Sequence, residues 1–143
     1  MKAKLSAAGL GGSALGLLAA YLTMWIFDGR LPDLTDIDWP ILMTAVLLLL
    51  NGAWLPLALN LNKKRKLLQS LLRGALAALL ALIISVSLTV VIYGLIESWP
   101  PEQTAFADLV QAVGFYLFLS LIFGGLQALL IGAGVGWYCH KKC

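Results

Sequence analysis

Four apolar stretches, at roughly residues 5–27, 41–61, 74–96 and 109–138, dominate the chain, and the polar positions between them fall in short blocks: acidic, then basic, then acidic. About 20 mostly apolar residues are enough for a helix to cross a hydrocarbon core of about 30 Å. All four stretches reach that length. They lack the alternation of barrel strands, and an open strand would leave backbone groups unsatisfied in lipid. The pattern therefore predicts an all-α polytopic membrane protein with four transmembrane helices, and the short loops predict an antiparallel bundle. The third helix begins at Gly74 or as early as Leu67. The fourth stretch carries no charge from Leu109 to Cys139, more than a straight span needs, so it is expected to tilt or to extend past the bilayer.

Charge adds direction. Lys2, Lys4, Lys63, Lys64, Arg65, Lys66, Arg73, Lys141 and Lys142 fall at the N-terminus, in the central loop or at the C-terminus, and only Arg30 falls elsewhere. Cations in short loops stay in the cytoplasm during insertion, so both termini are expected there, in a plasma (bacterial inner) membrane. The acids Asp28, Asp33, Asp36, Asp38, Glu97, Glu102 and Asp108 all lie in the first and third loops. Trp25, Trp39 and Trp99 mark the outer boundary, and Trp137 and Tyr138 the inner one. Pro32, Pro40, Pro100 and Pro101 mark the outer loops and helix starts.

With 143 residues, 61% of them hydrophobic and 12% charged, the chain is too apolar for a soluble domain, and no polar block is long enough for a second one. One domain over residues 1–143 is expected. Lys2 and Lys4 before an apolar run look like a secretory signal. The run's length and the lack of a clean small-x-small site favour a retained first helix. Residues 1–66 and 67–143 share a layout of helix, acidic Trp-Pro loop, helix and basic end, yet show little identity; two hairpins obeying one topology rule would look alike without duplication.

Small residues recur every fourth position in three of the stretches: Ala8, Gly12, Gly16 and Ala20; Ala77, Ala81, Ser85 and Thr89; Ser120, Gly124, Ala128, Gly132 and Gly136. Small side chains let helix backbones approach closely and gain dispersion contacts that lipid cannot match. These ridges are expected to be helix contacts, within one chain or between chains. Asn51 and Gln127, near mid-span, are expected to hydrogen-bond between helices, with a polar permeation path as the alternative. Pro56, four residues after Gly52, predicts a kink.

Candidate chemistry is sparse. Lys63, Lys64, Arg65 and Lys66, followed by Leu67, Leu68, Leu71, Leu72 and Arg73, suit contact with anionic lipid, Arg73 snorkelling to the headgroups, beyond their role in topology. Asp33, Asp36 and Asp38 lack the spacing of an EF-hand and read as a solvated loop rather than a Ca²⁺ site. Cys139, His140 and Cys143 offer three metal-type ligands where a structural Zn²⁺ site wants four, and Cys139 also lies where acylation occurs. A reducing cytoplasm disfavours a disulfide there. Phe106, Phe115, Tyr116, Phe118 and Phe123 could line a quinone or pigment pocket, but lipid-facing or core positions explain them more simply. No catalytic set, haem-type His pair, phosphate loop or mid-membrane acid occurs, so no metal, cofactor or nucleic acid is implied.

The function expected is therefore non-enzymatic. Small-residue faces without reactive groups fit an accessory subunit, assembly factor or immunity-type protein that docks its helices on a larger membrane partner. The alternative is a homo-oligomeric transporter or channel lined by Asn51, Gln127, Ser85 and Thr89. An enzyme acting on lipid ranks third.

Overall fold

The computed structural model of the protein describes residues 2–28, 38–59, 66–97 and 106–142. Arg30, Pro32, Asp33, Asp36, Lys63, Lys64, Arg65, Trp99, Pro100, Pro101, Glu102 and Cys143, with the side chains of Lys2, Trp25, Asp28 and Glu97, lie outside the described residues. Four helices make up the fold: α1 (Lys2–Asp28), α2 (Trp39–Ala58), α3 (Leu67–Glu97) and α4 (Phe106–Lys142). All four are long and apolar enough to cross a membrane, and no strand occurs among the described residues. At 1.5 Å per residue α2 spans about 30 Å and matches a hydrocarbon core, whereas α4 spans about 55 Å.

Local chemistry explains the ends. Asp38 precedes α2 in extended conformation, Pro40 occupies the first turn, and Ile41 N–H donates to Asp38 O at 2.9 Å. α2 stops at Ala58, before the expected 61, where Leu59 N–H donates to Leu55 O at 2.9 Å. The carbonyl of Leu59 then accepts from Arg73 Nη1 on α3 at 3.2 Å. A guanidinium thus satisfies a helix C-terminal carbonyl, which is electrostatically favoured. α4 runs beyond 109–138 at both ends: Asp108 sits in its first turn, and Lys141 and Lys142 in its last, charges that match the helix dipole. Lys141 lies 4.3 Å over the Trp137 ring, and Trp39 packs against Tyr93 at 5.5 Å between centroids.

The helices pack in a ring, α1 against α2, α2 against α3, α3 against α4 and α4 against α1, with α3–α4 the most extensive seam and α1–α4 the least. Backbone contact makes the first seam possible. A Cβ at Gly74 would strike the carbonyl of Gly132 and stand 2.8 Å from Gly136 Cα; one at Gly132 would strike Gly74 O and stand 2.7 Å from Ala78 Cβ. A Cβ at Gly136 would meet the Ser70 carbonyl. Farther along the same seam Leu82 meets Gly124 and Leu109 meets Gly94. Contact positions thus fall along α4 as they rise along α3.

The α1–α2 seam has the same character. Gly9 lies against the carbonyl of Gly52 and the ring of Pro56, and Gly52 lies against Ser13. Pro56 has no N–H to offer Gly52 O inside the helix, so that carbonyl is left to the close approach of Gly9, the geometry of Cα–H···O contacts. Leu55, Ala77 and Ala81 form a buried α2–α3 cluster, and Leu5 with Cys139 forms another between α1 and α4.

Glycines with and without backbone neighbours should therefore respond oppositely. Adding a methyl to a helical glycine gains up to about 1 kcal/mol of helix propensity, while forcing one into a closed contact costs about 1–3 kcal/mol. Gly132→Ala is expected to lower the thermal midpoint in mild detergent, and Gly134→Ala, whose Cβ would meet nothing within 4 Å, to leave it equal or higher. Equal effects would remove the basis for the α3–α4 contact.

Candidate functional site

Residues from all four helices line a partly open cavity of about 680 Å³ between them. It arises because only some of the small residues are used for contact. Gly9, Gly52, Gly74 and Gly132 close the seams at one end of the bundle, whereas Gly16 and Gly124 border open volume: a Cβ at Gly16 would have Ile131 Cδ1 as its sole neighbour within 4 Å, at 3.9 Å, and one at Gly124 would meet only Leu82, at 3.6 Å. Ala128 and Ser120 also line the cavity, and Ser120 donates to its own helix at Tyr116 O, 2.7 Å away. Gly12 differs from both groups, since its Cβ would stand 2.5 Å from the tip of Val135.

Three side-chain pairs join the helices across the spans. Asn51 Nδ2 donates to Ser85 Oγ at 3.1 Å, joining α2 to α3, and Ser85 is fully buried. Gln127 Nε2 donates to Thr23 Oγ1 at 2.7 Å, joining α4 to α1, while Thr23 donates to Ala19 O at 2.8 Å. Thr44 and Thr89 lie 2.9 Å apart, with Pro40 O 2.8 Å from the first hydroxyl and Ser85 O 2.9 Å from the second. Each hydroxyl carries one proton, so the chain runs either from Thr89 through Thr44 to Pro40 O or from Thr44 through Thr89 to Ser85 O. Two of the four helix–helix seams, α2–α3 and α1–α4, thus carry side-chain hydrogen bonds, and the other two, α3–α4 and α1–α2, carry glycine contacts in their place.

Other sequence candidates are dispersed. Cys139 is buried against Leu5, with Ala8 and Val135 packed around that pair, while His140 projects about 100° away around the helix. His140 Nδ1 is buried with no hydrogen-bond partner among the described residues. No group of three metal-type ligands occurs among the described residues. Phe106, Phe115, Tyr116 and Phe118 are exposed, and of that aromatic group only Phe123 lines the cavity. Lys66 is exposed just before α3.

A second concavity of about 600 Å³ lies along the α1–α4 seam, lined by Ala7, Ala8, Gly11 and Gly134 and bordered by Lys4, Tyr138 and Lys142. Gly12, Ile131 and Val135 line both spaces. Neither space was visible in residue types alone. The Gly9/Ser13 pair facing Gly52/Pro56 was not visible either, since the four-residue spacing of α1 pointed to Ala8 and Gly12, one position away. No family model, no curated protein and no solved structure matches the chain.

A polar pair in a span is worth about 0.6–2 kcal/mol, and its removal should reveal coupling. Asn51→Leu and Ser85→Ala are each expected to lower stability in detergent, and the double variant to lose less than the two together. Strict additivity would show that the 3.1 Å contact carries no energy.

Proposed function

We propose that the chain is a multi-pass inner-membrane protein, an antiparallel four-helix bundle with both termini in the cytoplasm, and that it works without catalysis by docking on a larger membrane partner. The order of contacts along the seams supports the antiparallel arrangement, and the placement of every cation but Arg30 at the termini or around the central loop supports the orientation. The observation that carries the docking reading is the concavity outside the α1–α4 seam. Gly11 and Gly134 would meet nothing within 4 Å if given a Cβ, so a helix laid there could approach the backbone as closely as α4 approaches α3.

Charge defines the occupant. Lys4 and Lys142 border the groove beside Tyr138, so the complementary partner is an apolar transmembrane helix with an acidic residue at its cytoplasmic end. The side-chain pairs Asn51–Ser85 and Thr44–Thr89 favour docking over the conducting alternative, because hydrogen bonds spent between helices are withdrawn from a water-filled path.

The test is native mass spectrometry after mild extraction from the source membrane. The expected result is a stoichiometric complex with a different membrane protein, lost in Gly134→Trp and weakened in Lys4→Glu/Lys142→Glu while the bundle stays folded. A monomer without partner, or a closed homo-oligomer that carries ion flux in liposomes, would overturn the proposal.

A further inference from the structure

We infer that the interior cavity is a binding site for one neutral single-chain lipid, a long-chain alcohol in chemical class. Shape comes first. The lining runs over Gly9–Thr23, Thr44–Pro56, Gly74–Val86 and Leu119–Val135, which at 1.5 Å per residue makes the space about 20 Å long. A volume of about 680 Å³ over that length gives a mean cross-section of about 30–35 Å², room for an extended alkyl chain. A saturated chain of roughly 16 carbons has the matching length, given bonds of about 1.5 Å in a zigzag. The volume also falls in the range of about 300–1,000 Å³ usual for small-molecule sites.

Chemistry of the lining then selects the head. No residue that lines the cavity is ionisable, so a carboxylate or phosphate would be left there without a counter-charge, a costly state in low dielectric. A hydroxyl meets no such penalty. Thr23 already donates to Ala19 O, so Gln127 must present an N–H to it, and the Gln127 carboxamide oxygen is left with no partner among the described residues. That oxygen is the acceptor for the alcohol's proton, and the second N–H of the same carboxamide is a donor for the alcohol's oxygen. The carboxamide thus has two jobs, joining α4 to α1 with one N–H and holding the head with the rest.

Access comes through the same seam. Gly12, Ile131 and Val135 line both the interior cavity and the outer groove, so the wall between lipid and cavity is one layer of side chains. α1–α4 is also the least extensive of the four seams. Rotation of Ile131 and Val135, or a small parting of α1 from α4, admits a chain sideways from the bilayer without crossing a headgroup layer.

Photolabelling the full chain in nanodiscs with a diazirine-bearing hexadecanol, with peptide mapping and native mass spectrometry, tests this. The expected result is one label per chain on cavity residues such as Ile131 and Leu82, competed by excess 1-hexadecanol but not by palmitate. Gly16→Leu and Gly124→Leu, which add bulk where a Cβ meets only ordinary contacts, are each expected to cut labelling about tenfold. Gly114→Leu, at an open position on α4 that lines neither the cavity nor the groove, leaves it unchanged. Gln127→Leu weakens competition by the alcohol and leaves competition by hexadecane unaltered. Label confined to outward residues such as Leu126 and Leu130, labelling indifferent to the two cavity variants, or a phospholipid retained in place of the alcohol would each overturn the inference.

Discussion

Helices in hydrocarbon gain nothing from hiding apolar surface from one another, because lipid tails serve as well as leucines. What remains is the close approach of backbones, dispersion between them, and hydrogen bonds that lipid cannot supply. This bundle uses both, on different seams. α3 and α4 meet through Gly74, Gly132 and Gly136, and α1 and α2 through Gly9 and Gly52, with only the small Ser13 and the Pro56 ring beside the second contact. α2–α3 and α1–α4 rely on Asn51–Ser85, Thr44–Thr89 and Gln127–Thr23. The large side chains are turned the other way: Leu42, Val46, Leu50 and Trp54 form an exposed stripe along α2, and Phe115, Phe118, Ile122, Leu126 and Leu130 one along α4. In water these stripes would be a liability; in a bilayer they are the solvated surface.

Uneven distribution of contact produces the interior space. Glycines pull two pairs of helices tightly together, while the other two seams are spaced by side chains such as Asn51 and Gln127 that must reach across. Four helices drawn together in unequal steps cannot fill the centre with the small residues that face it. Gly16, Gly124, Ala78 and Ala128 line a cavity that larger side chains at those positions would have filled. The same small-residue composition therefore yields closeness at one end and volume between, depending on the face each residue occupies.

That dependence marks how far the sequence could be read. Four helices were legible from apolar length, because a bilayer imposes a minimum run on anything that crosses it. Ala77, Ala81, Ser85 and Thr89 were legible as one face, and all four are buried. The division of the α4 stripe was not: Gly132 and Gly136 touch α3 backbone while Gly124 borders open volume, and nothing in their shared four-residue spacing separates them. It is set by what α3 places opposite each position, backbone and Ala78 at Gly132 but the tip of Leu82 at Gly124, a property of the packed pair. In α1 the tightest contact fell one residue away, at Gly9 and Ser13, because the position of Gly52 and Pro56 on α2 decides which face α1 presents. Arg73 illustrates a further limit. Its sequence position suggests a cation reaching for headgroups, whereas its guanidinium caps α2 at Leu59 O, a role that exists only once α2 ends beside it.

Direct contact between the α3 and α4 backbones is the claim on which the other packing arguments rest, and solid-state NMR of carbon-13 labelled protein in lipid bilayers measures it without altering a residue. A through-space cross-peak between the assigned backbone carbons of Gly74 and Gly132 is the result expected, with another linking Ser70 to Gly136. Spectra in which those glycines correlate only with their own helices, or with lipid acyl carbons, would contradict it.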